Sequence, residues 1–224
     1  MRNFIMHQNI LNLQKIEKQI YSKKLIENNK TEIIAVSKTF QVNDIMPLIE
    51  YGHIHFGENK VQEALNKWPD ILSKFKNLKL HMIGKLQTNK VKQAVNLFDF
   101  IHSVDSIKLA EKISLEQKKI NKNVNLFIQI NIGNETQKSG IPIENLENFY
   151  NHLTEELKLN IIGLMCIPPI EISARDAFKK MSILSKKILA KELSMGMSSD
   201  YLDAIEYGST FVRIGSKIFG ERKT

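Results

Sequence analysis

Short apolar segments alternate along the chain with longer stretches in which apolar and charged residues are mixed. The apolar segments are rich in Ile, Val, Leu and Phe, as are strands that a parallel sheet buries on both faces. The pattern predicts eight strands, at 33–38, 53–57, 78–83, 100–104, 124–131, 161–167, 193–197 and 210–214.

The stretches between these strands predict helices. In 106–120 the apolar residues recur at helical spacing beside lysines and glutamates, and Asp105-Ser106 can cap such a helix. Other helix-like stretches lie at 59–75, 87–97, 142–157, 173–191 and 199–207. An amphipathic segment at 3–28 precedes the first strand, so we expect an extra N-terminal helix.

Eight strands that are each followed by a helical stretch are typical of an α/β fold of the (β/α)8 TIM-barrel type. A doubly wound open sheet has the same alternation, because periodicity does not show whether a sheet closes. No G-x-G-x-x-G follows the first strand, which argues against the dinucleotide-binding form of the open sheet. We therefore expect a single barrel domain over 1–224, with the N-terminal helix (1–30) packed on or beside it.

Composition narrows the class of protein. The chain has 224 residues, 42% hydrophobic and 25% charged, which is ordinary for a globular protein with a real core. We expect no membrane span, since no apolar run approaches about 18 residues. We also expect no secretory signal, since 1–8 lacks a long apolar region followed by small residues. The single cysteine, Cys166, lies in an apolar segment, which predicts a buried, unreactive thiol and a reducing, cytoplasmic location.

The net charge of +8 raises the question of an anionic partner. The basic residues are scattered, with no arginine-rich tract and no interleaved aromatic residues. We therefore expect no nucleic acid and no membrane among the partners.

Candidate chemistry begins with Lys38, which ends the first predicted strand. Barrel enzymes carry their reacting groups at the carboxyl ends of the strands. A desolvated lysine there can lose its proton and attack an aldehyde. The alternative is a solvated side chain, because most lysines at strand ends are exposed.

The last two predicted strands end in segments typical of anion sites. Many barrels bind phosphate between the loops after strands seven and eight. Gly196-Met197-Ser198-Ser199 and Gly215-Ser216 supply flexible backbone and hydroxyl donors at those two places. Helix capping by the same serines is the alternative interpretation.

Arg213 lies within the apolar last strand, and alternation places its side chain opposite those of Val212 and Ile214, toward the barrel mouth. A buried guanidinium needs an acceptor. The acceptor is either a ligand or an internal carboxylate, for instance that of Glu58 or Asp105, and the sequence leaves both open.

A lysine that can form an imine, a phosphate cup and a buried arginine are what pyridoxal 5′-phosphate (PLP) requires. Eight motifs, in order from about 33 to 220, resemble those of the PLP homeostasis proteins, also called PLP-binding proteins of the YggS/PROSC type. They are AVSKT at 35–39, FGEN at 56–59, HMIGKLQTNK at 81–90, HSVDS at 102–106, QKSG at 137–140, GLM at 163–165, SMGMSSD at 194–200 and RIGSKIFG at 213–220.

The resemblance implies a PLP-binding barrel similar to the N-terminal domain of alanine racemase. Lys38 would then be the Schiff-base lysine, and Arg213 would face the pyridine nitrogen. The resemblance further implies a phosphate site formed by Ser198, Ser199, Gly215 and Ser216. It also implies a ring pocket lined by Asn59, His81 and Met165. It implies no metal site and no catalytic residue.

The resemblance also implies a function. An arginine donates to the pyridine nitrogen and keeps it unprotonated, which weakens PLP as an electron sink. A racemase needs a second base, and the five tyrosines fall outside the predicted strand ends. We expect an intracellular PLP carrier or regulator without evident catalysis, a monomer or weak dimer whose partners are PLP and apo PLP-dependent enzymes. The alternatives are a weak PLP-dependent amino-acid racemase or other PLP enzyme, and a barrel that binds another phosphorylated metabolite.

Overall fold

Eight parallel strands form a closed barrel in which each strand pairs with the next along the chain. The computed structural model describes residues 6–24, 30–133 and 139–221. The strands are β1 (Glu32–Val36), β2 (His55–Glu58), β3 (Lys79–Met82), β4 (Phe100–Val104), β5 (Asn125–Gln129), β6 (Ile161–Met165), β7 (Glu192–Met197) and β8 (Phe211–Ile214). Each lies within or overlaps a predicted strand, so the predicted strands are confirmed.

Pairing of the first strand with the last closes the barrel. Glu32 of β1 is in register with Phe211 of β8, and Ala35 with Ile214. The open sheet that periodicity could not exclude is therefore not the fold, and the barrel prediction is confirmed.

Ten helices in the described part of the chain surround the strands. They are α1 (Gln8–Lys24), α2 (Val42–Tyr51), α3 (Val61–Lys67), α4 (Pro69–Lys74), α5 (Val91–Leu97), α6 (Ile107–Ile120), α7 (Leu146–Asn151), α8 (Ala174–Lys187), α9 (Tyr201–Glu206) and α10 (Ser216–Phe219). None of the helices in the described ranges is long and apolar enough to cross a membrane.

The helices differ from the predicted ones at identifiable residues. The stretch 59–75 divides into α3 and α4 at Trp68, because Pro69 has no N–H to continue the hydrogen-bond ladder. The prediction did not include α2, which contains Pro47 yet is held by the buried side chains of Ile45, Leu48 and Ile49. The stretch 142–157 is a composite of a 3-10 turn, α7 and a π-helical turn.

The N-terminal helix α1 packs on the outside of the barrel against α2, α9 and α10. Its apolar face buries Leu13, Ile16 and Ile20. The Asn12 side-chain amide donates to the carbonyl oxygen of Ile218 in α10 at 2.9 Å. The ends of the predicted helix, at 3–5 and 25–28, lie outside the described residues.

The barrel interior holds its own apolar cluster, apart from the larger core between strands and helices. Ile34, Phe127, Met165 and Phe211 come from four different strands and contact one another. Because these strands do not all pair directly, such contacts occur only across the interior of the barrel. The interior is therefore filled with side chains, and space for a ligand remains only at its ends.

Candidate functional site

A cavity of about 680 Å³ lies at the carboxyl ends of the strands, within the usual range for small-molecule sites. It is bounded by segments that follow β1, β2, β3, β6, β7 and β8. All the predicted site residues except His81 and Met165 lie on its wall: Lys38, Asn59, Ser198, Ser199, Arg213, Gly215 and Ser216. The structure therefore brings together residues that are up to 178 positions apart (216 − 38) in the sequence.

Lys38 is half-buried in the turn after β1. The backbone groups on both sides of it are held by side chains of α3. Lys67 Nζ donates to the Ser37 carbonyl oxygen at 2.9 Å, and the Thr39 N–H donates to Glu63 Oε1 at 2.6 Å. Thr39 has φ 68°, a left-handed conformation that such contacts must maintain. The position of Lys38 on the cavity wall thus depends on α3.

A buried carboxylate lies beneath this turn. Glu58 is 0% exposed, and its Oε1 accepts from Ser37 Oγ at 2.8 Å, Lys67 Nζ at 3.0 Å and Trp68 Nε1 at 3.0 Å. Burial raises the pKa of Glu58, while the charge of Lys67 and the hydrogen bonds from Trp68, Lys67 and Ser37 oppose that rise. The alternative that Glu58 is the ion-pair partner of Arg213 is wrong, since Glu58 pairs with Lys67.

The two Gly/Ser segments meet on one side of the cavity. The N–H of Gly215 donates to Ser198 Oγ at 3.3 Å, and the hydroxyl-bearing residues Ser199 and Ser216 are exposed on the same wall. Gly196, near the end of β7, has φ +90°, and a Cβ there would lie 2.6 Å from Cβ of Ala204, so only glycine fits this position.

Asp200 fixes the first of these segments, because its Oδ1 accepts from the N–H of Met197 at 2.6 Å. Ser198, Ser199 and Ser216 thus line one region of the cavity together with Gly215. Several hydroxyl-bearing residues along one region of a cavity suit an oxyanion or phosphate.

Arg213 is 5% exposed and reaches the cavity wall from β8. Its Nη1 donates to the carbonyl oxygen and to Oγ of Ser194, both at 2.7 Å, and its Nη2 donates to the Cys166 carbonyl oxygen at 2.8 Å. Burial lowers the pKa of Arg213, yet a guanidinium stays protonated at neutral pH. No carboxylate of the described residues, Asp105 included, forms an ion pair with Arg213, so a positive charge with neutral partners faces the cavity.

His81 and Met165 lie deeper than the prediction assumed. His81 is fully buried and hydrogen-bonded to two other histidines, and Met165 packs in the interior cluster with Phe127 and Phe211. Strand β3 ends one residue after His81, and Met165 is the last residue of β6. The cavity wall beyond these strand ends is formed by Ile83, Gly84 and Ile167. Placement on a strand was correct, but a strand alone does not show at which depth of the barrel a side chain lies.

Asn59 contributes an unsatisfied acceptor to the wall. Its Oδ1 is buried and has no hydrogen-bond partner among the described residues. Gly84 packs against its backbone so closely that any Cβ at position 84 would clash with the Asn59 carbonyl oxygen. Because buried polar atoms are nearly always paired, an unpaired one on a cavity wall is suited to a ligand donor.

Cys166 is fully buried, and burial raises the pKa of its thiol to about 12. A thiol that stays protonated is a poor nucleophile. The prediction that Cys166 is buried is therefore confirmed. The contribution of Cys166 to the site is its carbonyl oxygen, which accepts a hydrogen bond from Arg213.

Comparison with known proteins identifies the relatives of this chain. The family model for the alanine racemase N-terminal domain matches residues 11–223. The pyridoxal phosphate homeostasis protein of Haemophilus influenzae is 39% identical over 94% of this chain and 94% of its own length.

Two solved structures of PipY from Synechococcus elongatus match closely. The one without PLP has a TM-score of 0.85 and 32% identity, covering 96% of this chain and all of PipY. The one with PLP bound has a TM-score of 0.78 and 33% identity, covering 92% of this chain and all of PipY. The chain therefore belongs to the alanine racemase N-terminal domain family, among the pyridoxal phosphate homeostasis proteins.

Proposed function

We propose that this protein binds PLP through a Schiff base at Lys38 and acts in PLP homeostasis as a carrier or regulator without evident catalysis. The observation that carries the proposal is one cavity wall holding Lys38, Arg213 and the serine hydroxyls after β7 and β8. The PLP bound in the PipY structure and the family membership support it.

The residues of the cavity match the functional groups of PLP. When bound, PLP supplies an aldehyde that condenses with an amine, so that a C=N bond replaces C=O and water leaves. Lys38 Nζ provides that amine, and the hydroxyls of Ser198, Ser199 and Ser216 with the Gly215 backbone hold the phosphate. The buried Oδ1 of Asn59 accepts a hydrogen bond from the ligand.

Arg213 donates to the pyridine nitrogen in this proposal. A guanidinium has donors only, so it leaves that nitrogen unprotonated. Among the described residues no tyrosine lies on the cavity wall. The five tyrosines are on helices or directly after one: Tyr21, Tyr51, Tyr150, Tyr201 and Tyr207. The cavity thus offers no tyrosine as a second base for racemisation, which favours a carrier over a racemase.

His81 and Met165 enter the proposal differently from the other predicted residues. Both side chains are buried in the barrel interior. We therefore propose that they support the residues of the ring pocket from the interior and do not form part of its wall. Delivery to apo PLP-dependent enzymes, a monomeric or weakly dimeric state and a cytoplasmic location complete the proposal; Cys166, a free thiol, suits a reducing compartment.

Absorbance with and without borohydride tests the Schiff base. Wild-type protein incubated with PLP should show a visible band, and after reduction a tryptic peptide containing position 38 should carry the added mass. Lys38→Ala and Lys38→Arg should both lose the band and the adduct, because neither retains a primary amine.

Lys85→Ala is the matched control, since Lys85 is an exposed lysine in the loop after β3 and lines a neighbouring cavity that shares Gly84 and Ile167 with the first. This variant should keep both signals. A full band in Lys38→Arg, or an adduct on Lys85, would contradict the assignment of Lys38. Solvent deuterium exchange at the α-carbon of alanine, no faster than with free PLP, distinguishes a carrier from a weak racemase.

A further inference from the structure

A row of hydrogen-bonded side chains crosses the barrel interior from Arg213. Arg213 Nη1 donates to Ser194 Oγ at 2.7 Å, and Ser194 Oγ lies 2.9 Å from Nδ1 of His102. Nε2 of His102 lies 2.9 Å from Nδ1 of His81, and Nε2 of His81 lies 2.9 Å from Nδ1 of His55. We call Ser194, His102, His81 and His55 the histidine row.

The row begins at the cavity and ends at the opposite mouth of the barrel. Nε2 of His55 lies 3.9 Å from Oε2 of Glu32, the first residue of β1. His55 and Glu32 are partly exposed there, with 16% and 31% of their side chains accessible. The structure thus links a cavity-lining cation to a carboxylate at the far end of the barrel through four side chains.

Aromatic rings enclose the buried part of the row. His81 stacks on Phe100 with ring centroids 4.2 Å apart, and His102 stacks on Phe127 at the same distance. His81 and His102 are 0% exposed. Burial lowers the pKa of both rings well below the ordinary value, and neighbouring positive charge contributes, so both are neutral at neutral pH.

The direction of every hydrogen bond in the row follows from Arg213. A guanidinium only donates, so Ser194 Oγ accepts from it and keeps its own proton to donate to His102 Nδ1. A neutral imidazole that accepts at Nδ1 carries its proton on Nε2, and therefore donates to the next ring. The opposite direction would leave the fully buried Ser194 hydroxyl without an acceptor among the described residues.

We infer that the histidine row is a polarised support for Arg213, in which His102, His81 and His55 all have the Nε2–H tautomer. Its members are positioning residues, because none of the four lies on the cavity wall. The guanidinium of Arg213 thereby donates to neutral acceptors on one side, while its positive charge faces the cavity. The expected effect of the histidine row on PLP binding rests on the proposed function, whereas the assignment of the tautomers does not.

Long-range ¹H–¹⁵N correlation of the imidazoles in the protein without PLP tests the inference at neutral pH. His55, His81 and His102 should each show a proton on Nε2 and an unprotonated Nδ1. A proton on Nδ1 of His81 or His102 would overturn the inference, and this measurement requires no variant.

Two serine variants distinguish an effect of the hydrogen bonds in the histidine row from a general effect of side-chain packing. Ser194→Ala removes the donor to His102, so the ¹⁵N resonance of His102 Nδ1 should shift. Ser103→Ala is the matched control, because Ser103 is equally buried beside His102 and its Oγ has no hydrogen-bond partner in the described part of the chain. An unmoved Nδ1 resonance in Ser194→Ala also overturns the inference.

The effect on PLP is measured separately by equilibrium binding. Ser194→Ala should bind PLP about tenfold more weakly than wild type, while Ser103→Ala binds as wild type does. Equal binding by both variants would refute the positioning role. Failure of the wild type to bind PLP would refute the proposed function instead and leave the tautomer result standing.

Discussion

Lys38 shows at the scale of single residues how a reactive side chain is positioned. The residues on either side of it are tied to α3 by Lys67 and Glu63. Lys67 Nζ also contacts Glu58 Oε1 at 3.0 Å and Glu63 Oε1 at 2.9 Å, and the Lys67 side chain is only 9% exposed. A buried ammonium between two carboxylates therefore determines where the backbone at Lys38 runs.

Replacing Lys67 by methionine should destabilise the fold by about 3–5 kcal/mol, because it leaves Glu58 buried without its cation. The same change frees the Ser37 carbonyl oxygen, so PLP retention at Lys38 should also weaken. Urea unfolding and visible absorbance measure the two effects.

Glu58→Gln provides the control for this prediction, since an amide oxygen still accepts from Ser37 and Trp68 without a charge. The double variant Lys67→Met with Glu58→Gln should be more stable than Lys67→Met alone. If the two changes are simply additive, the buried pair is not coupled as the geometry indicates.

The N-terminal helix is the element whose role changes most with the structure. Its contacts with α10 lie next to Ser216, the first residue of α10 and part of the cavity wall. Gln19 Oε1 accepts from the Tyr201 hydroxyl at 2.5 Å, which ties the same helix to α9. Helix α1 therefore supports the two helices that follow the serine segments.

A pair of leucines on α1 tests this contribution. Leu13 is 0% exposed, so Leu13→Ala should cost about 2–5 kcal/mol of unfolding free energy. Leu11, on the same helix, is 44% exposed, so Leu11→Ala should change stability by no more than about 0.5 kcal/mol. Equal unfolding midpoints for the two variants would mean that α1 adds little to the stability of the barrel.

Four partly or fully buried histidines make the stability of the whole fold depend on pH. Burial lowers the pKa of His53 to about 4, and it also lowers the pKa of His55, His81 and His102. In the unfolded chain these rings titrate near the ordinary value of about 6.5. The unfolded state therefore binds more protons than the folded state once the pH falls below that value.

The free energy of unfolding should consequently decrease as the pH falls from 7 to 5, by up to about 1.4 kcal/mol per pH unit for each histidine. Glu58 acts in the opposite direction, because a raised pKa in the folded state adds stability as the pH falls. Urea unfolding at pH 7, 6 and 5 measures the net effect.

Glu58→Gln removes the opposing carboxyl and should make the decrease with falling pH steeper. A Glu58→Gln midpoint independent of pH over this range would show that the histidines titrate in the folded protein as they do in the unfolded chain, against the burial and ring stacking of His81 and His102.

The sequence predicts the strands better than the helices because the two signals differ in strength. Strands buried on both faces are continuous apolar runs, such as 33–36, whereas α2 contains Pro47 and was not predicted. Pro47 opposes a helix locally, and only burial of Leu48 and its neighbours against the barrel overrides that preference.

The depth of a side chain inside the barrel is a second property that sequence patterns do not contain. Strand alternation places His81 on the inward face, but it does not distinguish the cavity wall from the layer below it. His81 bonds to His102 and His55 because the closed barrel stacks their strands side by side. The chain contains no local signal that joins these three residues.

The sequence by itself determined the alternating strand–helix order, the lysine, arginine and serines at strand ends, and the family resemblance, because these depend on local composition and spacing. Tertiary structure alone decided that β1 pairs with β8, that Glu58 pairs with Lys67 and that Arg213 has neutral partners. These contacts join residues distant in the chain, and their choice depends on how the barrel closes and which charges it buries together.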